Sequence, residues 1–309
     1  MTVLNFTVMP EEDGNQVKQV LRARGVSTRI TNRLKRTQGG MRLNDGEVAR
    51  TIDLVRAGDV LILRLPDDTE ILEPMPYVLD ILYEDEHLLI VNKPPTLAMH
   101  PTRNLQGNSL ANAVSGYLQG QGRPAVFRPV GRLDKGTSGV VVCALHAYAA
   151  SKLNSEIGEL RKTYFALVHG CYKGAGTFTN AIYRPKANCT LRACREEHAP
   201  PQPGDEPAIT HWEEISHHDG VSFVKIWLET GRTHQIRAHF AHHGTPILGD
   251  DYYGAPVREE PGHFLHCGQA RFTHPVTSKL LCVKAQMPAH MNSMVQTMNI
   301  DYHNGGWNQ

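Results

Sequence analysis

The sequence has 309 residues, 40% hydrophobic and 20% charged, with a formal net charge of +1. That length suits one large domain plus a small one, and the balance is close to that of ordinary soluble domains. No window approaches the ~18 uninterrupted apolar residues of a spanning helix, so a membrane-spanning helix is excluded and no membrane partner is expected.

The opening "MTVLNFTVMP" lacks a basic flank followed by a long apolar core, so no signal peptide is expected there. Cys143, Cys171, Cys189, Cys194, Cys267 and Cys282 are scattered without a CxxC pair, which reads as reduced thiols and a cytoplasmic location. "VKQVLRARG" carries Val17, Val20 and Leu21 at helical spacing and stops at Gly25. "STRITNRLKRTQGG" opens on Ser27 as an N-cap, keeps Ile30 and Leu34 on one face and ends at Gly39-Gly40. "MRLNDGEV" reads as strand, turn, strand with Asn44-Asp45-Gly46 at the bend, and "GDVLILRLP" as a strand closed by Pro66. Between Gly14 and Asn44 stand eight cations and no acid: Lys18, Arg22, Arg24, Arg29, Arg33, Lys35, Arg36 and Arg42. A run of this kind is commonly a solvated helical face, but such a cluster also meets phosphates even on a near-neutral protein.

This stretch resembles the small RNA-binding domain first recognised in ribosomal small-subunit protein four. The match rests on Ser27 to Leu34, Leu43-Asn44-Asp45-Gly46 and Gly58-Asp59. The resemblance implies RNA contacts from Arg29, Arg33, Lys35 and Arg36. "DDTEILEPMPY" (67–77) is acidic, holds two prolines and reads as a linker, so residues 1–75 are expected to form this small domain and 76–309 the body.

In the body, "HLLIVNKPP" is a buried strand stopped by prolines, "SLANAVSGYLQG" has a helical period, and "GVVVCAL" is a buried strand. "HAYAASKLNSEIGEL" places Ala147, Ala150, Leu153 and Ile157 in helical period, and "RKTYFALVHG" and "VSFVKIWLETG" alternate as strands. "GRTHQIRAHFAHHG" reads as a short helix from a glycine, with Ile236, Phe240 and Ala241 on one face and a basic, His-rich face opposite. Residues 195–206 form a Pro-rich loop, and "HNGGWNQ" a loose tail. There is no strict strand–helix repeat, so the expected class is mixed α+β with a largely antiparallel sheet.

"GRLDKGTSG" (131–139) raises three readings. A phosphate-binding P-loop needs Lys after its second glycine, where Thr137 stands. A tight structural turn fits the glycines, Asp and hydroxyls. The third reading is a loop presenting Asp134 as ligand, nucleophile or salt-bridge partner, with Arg132 on the same rim.

The same nine residues are similar to the "H-R-L-D-x-x-T-S-G" signature of the RluA-type pseudouridine synthases. "EDEHLLIVNKPPTLAMHP", "RKTYFALVHG" and "LETGRTHQIRAHFAHHGTPILGDDYYG" resemble three further motifs of that family, in order, across residues 84–254. Two departures stand out: Gly131 replaces the usual His, and Thr96 replaces the usual Gly after "N-K-P-x".

The resemblance implies the pseudouridine synthase fold and isomerisation of uridine to pseudouridine in RNA, with neither cofactor nor metal. It puts the essential Asp at Asp134, acting either by covalent attack or by taking a sugar proton. A carboxylate in a closed pocket needs a cation to stay ionised, and Arg232 or Arg237 supplies it, with Arg232 preferred. Arg132 is implied as the side chain that enters the RNA stack when the uridine flips out, Tyr164 as the ring against the uracil, and Ile236 as pocket lining. Lys93, Thr137 and Ser138 are expected to position backbone.

Two other classes compete. One is a non-catalytic RNA-binding or ribosome-assembly factor that keeps the fold. The other is a metal-dependent hydrolase built on His234, His239, His242 and His243 with Asp250 and Asp251; no His-Glu-x-x-His supports it. The partner is expected to be RNA, ribosomal RNA favoured and transfer RNA open, acted on by a monomer.

Overall fold

A computed structural model of the chain describes residues 2–298 except 45, 67–71, 102–106, 124–125, 156–159, 188 and 255–261. The "HNGGWNQ" tail, Ile157 and Asp45 therefore lie outside the described residues.

The first unit holds β1 (Thr2–Thr7), α1 (Val17–Ala23), α2 (Thr28–Arg36), β2 (Met41–Leu43) and β3 (Val60–Leu65). Ser27 caps α2 as expected, accepting from the Ile30 amide at 3.4 Å. Both helices turn their apolar stripes, Val17, Val20, Leu21, Ile30 and Leu34, onto the sheet. The sheet runs β1-β3-β2, antiparallel throughout. The expected hairpin over 41–48 is reduced to β2 and a single bridge from Arg42 to Val48, because the main partner of β2 is β3. β1 has no local turn to announce it; its partner lies more than fifty residues away in sequence.

The body contains β4 (Ile81–Glu84), β5 (Leu88–Lys93), α3 (Leu110–Gly120), β6 (Arg128–Pro129), β7 (Ser138–Ala144), α4 (Ala147–Asn154), β8 (Arg161–His169), β9 (Ala175–Phe178), β10 (Ile182–Tyr183), β11 (Ala193–Cys194), β12 (Thr210–His218), β13 (Val221–Leu228), α5 (Gln235–His242), β14 (Leu265–Thr273), β15 (Leu280–Lys284) and α6 (Ala289–Thr297). A ten-stranded sheet orders β4-β5-β7-β14-β8-β13-β12-β9, with β15 and β6 attached to β14 and β7. Among its described pairs only β7 and β14 run parallel, so the sheet is mixed and largely antiparallel. At that junction Gly139 has φ +112°, and a side chain there would collide with the Cys267 carbonyl.

The two units have separate apolar cores that meet where Tyr148 of α4 is buried in the smaller one, with Ala147 and Val276 of the body packed against it. Its hydroxyl donates to the Arg24 carbonyl at 2.8 Å, beside Lys152 Nζ at 3.3 Å. α4 accordingly buries Tyr148, Ala149 and Leu153, and Ala147 and Ala150 are only half-buried. Residues 72–75, expected with the small domain, lie against the body: Ser115 donates to the Leu72 carbonyl and the Met75 amide to that of Asn112.

α5 differs most from its sequence pattern. It begins at Gln235, and its basic, His-rich face is divided: Arg237 and His239 are inside, 3% and 0% exposed, while His242 is half-buried and His243 exposed. Buried ionic and polar groups require partners. His239 finds Thr210 and the Asn180 carbonyl; Arg237 finds two carboxylates. No described helix is long and apolar enough to cross a membrane.

Candidate active site

The mouth between the 131–137 loop, β8, the end of β13, the 229–234 turn, α5 and β14 forms a cleft of about 320 Å³. Asp134, Tyr164, Arg132, Arg232, Ile236 and Arg237 all line it, so the residues implied by the resemblance converge in space. Lys162, His234 and Leu265 join them.

The loop that carries Asp134 is fastened from three sides. The Thr137 amide donates to the Asp134 carbonyl at 3.1 Å, closing a turn. The Gly136 amide donates to the Pro95 carbonyl at 3.0 Å. Thr137 Oγ1 pairs with His263 Nε2 at 2.7 Å. Below it Lys93, fully buried, donates to the Pro94 and Leu97 carbonyls at 2.9 and 2.8 Å. Burial brings the Lys93 ammonium down to about 7, with the charge of Asp134 opposing. Gly131 stands at φ +72°, and a β-carbon there would meet Lys162 Nζ at 3.2 Å. Lys162 therefore occupies the space that the departure from His opens.

Asp134 keeps 15% of its side chain exposed, at the floor of the cleft. Its Oδ2 lies 3.3 Å from Arg237 Nη1 and 3.8 Å from His234 Nε2. The cation beside it is thus Arg237, which corrects the preference for Arg232. Arg237 is in the first turn of α5 and points inward, where Asp250 takes its Nε and Nη2 at 2.7 and 2.8 Å. Burial alone would lower the Arg237 pKa; the hydrogen bonds and charges of Asp250 and Asp134 outweigh it and raise it. Arg232 precedes the helix on the rim, 39% exposed, and is drawn away by the Pro207 carbonyl at 3.0 Å and Glu206 at 3.6 Å.

Tyr164 comes from β8 with 7% exposure, opposite Cys267 in β14. Burial, with Cys267 and Asp134 nearby, holds its phenol well above the ordinary value, so it stays protonated. Ile236 is 5% exposed and serves the core as well as the cleft. Arg132 is exposed at the mouth. Arg29, Lys35 and Arg36 are exposed on α2, away from this cleft; Arg33 lines a separate gap of about 160 Å³ between the two units, with Arg123 and Arg128.

His234, Asp250 and Tyr253 fall within the last motif of the resemblance, but the sequence gives none of them a role beyond the metal reading of His234 and Asp250. The "GDDYYG" segment that supplies Asp250 and Tyr253 sits beside α5 only after folding. Among the described residues no group of three or more His, Cys, Asp or Glu could hold a metal. The histidines of "HQIRAHFAHH" take other partners: His234 Tyr253, His239 Thr210 and the Asn180 carbonyl, His243 the Asn180 side chain.

Residues 87–242 match the family described as RNA pseudouridylate synthase. The chain is 34% identical over 290 residues to the uncharacterized RNA pseudouridine synthase YjbO of Bacillus subtilis (strain 168), covering 92% of this chain and 99% of that one. It is 30% identical over 283 residues to the ribosomal large subunit pseudouridine synthase D of Xanthomonas campestris pv. campestris, covering 85% and 83%. Among solved structures, human RNA pseudouridylate synthase domain containing 4 aligns with a TM-score of 0.58 at 20% identity, over 71% of this chain and 92% of that one. The last likeness speaks to the fold alone.

Proposed function

Since the chain belongs to the RNA pseudouridylate synthase family and is an isomerase of that class, we propose that it converts uridines of structured ribosomal RNA at the Asp134 cleft. The observation that carries this reading is the position of Asp134, recessed at the floor of the cleft with its Oδ2 on Arg237.

The isomerisation breaks the N1–C1′ bond and forms C5–C1′; C5 gives up a proton and N1 gains one, so the formula is unchanged. Asp134 acts at the sugar, either by attack on C1′ or by removing the C2′ proton. Arg237 favours the ionised carboxylate and, being held by Asp250, has its own orientation set in advance. Tyr164 presents an apolar ring face and a protonated hydroxyl to the uracil. Arg132, exposed at the mouth, fills the stack as the uridine leaves it; extrusion costs a few kcal/mol, and a planar guanidinium restores part of the lost stacking. The basic face of α2 gives the small unit a phosphate-binding surface. Ribosomal RNA is preferred over transfer RNA because that unit resembles a ribosomal protein's domain.

The test is mass-spectrometric pseudouridine mapping of ribosomal and transfer RNA from cells lacking the protein, carrying it, or carrying Asp134→Asn. A site that is lost and returns only with intact Asp134 supports the reading and identifies the substrate. A site restored equally by Asp134→Asn would sink the assignment of Asp134. No lost site in either pool would favour a fold kept for RNA binding.

A further inference from the structure

His234 has the least ordinary backbone at the site: φ +56°, ψ 19°, left-handed, in the residue before α5. Such a conformation costs a non-glycine residue about 1–2 kcal/mol, and it persists where the surroundings over-determine it. Here the turn is held by Gln235, whose Oε1 accepts from the Arg232 amide and Thr230 Oγ1, both at 2.9 Å, and whose Nε2 donates to the Ile209 carbonyl.

The conformation lays the imidazole between two partners. Nδ1 is 3.0 Å from the Tyr253 hydroxyl, and Nε2 is 3.8 Å from Asp134 Oδ2. The second partner of Tyr253 bears on the direction of the first bond. Its oxygen accepts the Arg192 backbone N–H at 3.0 Å, which favours the arrangement in which its own proton is donated to Nδ1. An imidazole that accepts at Nδ1 carries its proton on Nε2, and Nε2–H points at Asp134. Arg237 Nη1 converges on the same carboxylate oxygen. Among the described residues, Oδ1 of Asp134 receives no donor.

We propose that His234 is a positioning residue: held as the Nε2–H tautomer by Tyr253, it donates to Oδ2 of Asp134 and, with Arg237, leaves Oδ1 as the oxygen that meets the ribose. This rests on the reading of Asp134 given above. The contact closes from 3.8 Å when RNA fills the cleft, since hydrogen bonds at catalytic groups are often long before substrate binds. The groups facing the ring are Asp134 from the loop before β7, Arg237 from α5, Asp250 and Tyr253 from the segment after α5, Arg192 from the segment before β11, and His263 from the segment before β14. Burial keeps the ring neutral below its ordinary value, with Asp134 opposing and Arg237 adding to the effect. Protonation at Nδ1 requires the Tyr253 bond to break, so Tyr253→Phe shifts the titration of His234 to higher pH.

Two measurements test this. Nitrogen NMR of the full chain labelled at histidine, with His234 assigned by the signal lost in His234→Gln, reads the tautomer without any RNA. A neutral Nε2–H form whose midpoint rises in Tyr253→Phe is expected; an Nδ1–H form would overturn the proposal. Single-turnover rates on an unmodified ribosomal RNA transcript then read the consequence. His234→Leu is expected to slow turnover at least about tenfold with RNA affinity unchanged. His234→Gln, whose amide places an N–H where Nε2–H was, recovers most of the rate. A leucine variant as fast as wild type at every pH overturns the proposal. A wild-type protein that converts no uridine overturns the functional reading instead, while the NMR result still decides the tautomer.

Discussion

Asp250 takes two of the three guanidinium nitrogens of Arg237, at 2.7 and 2.8 Å, and neither residue is appreciably exposed. The remaining nitrogen faces Asp134 at 3.3 Å. Arg237 is therefore aimed before any substrate arrives. Asp250→Asn keeps the shape and one acceptor but removes the charge. It is expected to lower turnover at least about tenfold by letting the guanidinium shift, with RNA affinity nearly unchanged. Single-turnover rates and filter binding on the same transcript separate the two effects; equal losses in both would point to general unfolding.

The two arginines of "TGRTHQIR" have different surroundings, and substitution separates them. Arg237→Ala leaves Asp250 buried without its counter-charge, a loss of about 3–5 kcal/mol, and takes the cation from Asp134. Arg232→Ala breaks an exposed pair with Glu206 that is worth about 1 kcal/mol or less. Arg237→Ala is expected to abolish turnover and lower the melting temperature. Arg232→Ala is expected to cost at least about a hundredfold less in rate. Rates of the same order for the two variants would return Arg232 to the role that the sequence preferred for it.

The sequence could not choose between these arginines for a physical reason. Spacing puts both near one end of a helix, but the choice depends on where that helix begins. It begins at Gln235, whose side chain ties the preceding turn to Thr230 and Ile209, and that one register decision sends Arg237 inward and leaves Arg232 outside. Elements with strong local signals were legible: Ser27 capping α2, the apolar run of β7, and β8 as a strand, although Tyr164–Val168 are buried on both faces rather than alternating. Those made by distant pairing were not, as with β1, which has only β3 for a partner. The loop bearing Asp134 was legible as chemistry through its motif, whereas the motif holding Asp250 and Tyr253 left their roles open, because their use depends on a side chain already buried beside them. The burial of Arg237 and His239 on the basic face of α5 was not legible for the same reason: they are inside because carboxylates and Thr210 satisfy them.

Arg29, Lys35 and Arg36 are exposed along α2 and lie outside the Asp134 cleft. If they meet phosphates, the triple alanine variant changes binding and leaves the chemistry alone. RNA affinity is expected to fall, and the slope of log K against log salt to shrink by about 0.7–0.9 for each phosphate that the variant no longer neutralises. Single-turnover rate at saturating RNA should stay within about twofold of wild type, since no group at the reacting atoms is touched. An unchanged salt slope would remove α2 from the RNA interface.

Three buried histidines weaken the fold as pH falls. His266 Nε2 donates to the Ala285 carbonyl at 3.1 Å, and in the neutral ring that burial favours Nδ1 accepts from Ser138 Oγ at 2.8 Å. Burial takes His266 and His146 down to about 4 and His263 to about 3, from an ordinary value of 6.5. Between pH 6.5 and about 4 the unfolded chain binds protons that the folded one refuses, so stability falls as pH falls through that window. Each such ring contributes a slope of up to about 1.4 kcal/mol per pH unit. Above pH 6.5 both states are neutral at these sites and the effect is absent. Urea unfolding at pH 7.5 and pH 5.0 is expected to show a large loss in wild type, smaller by about 2 kcal/mol in His266→Gln, which has nothing to protonate there. A wild-type-sized loss in His266→Gln would mean that His266 is not held neutral between Ser138 and Ala285.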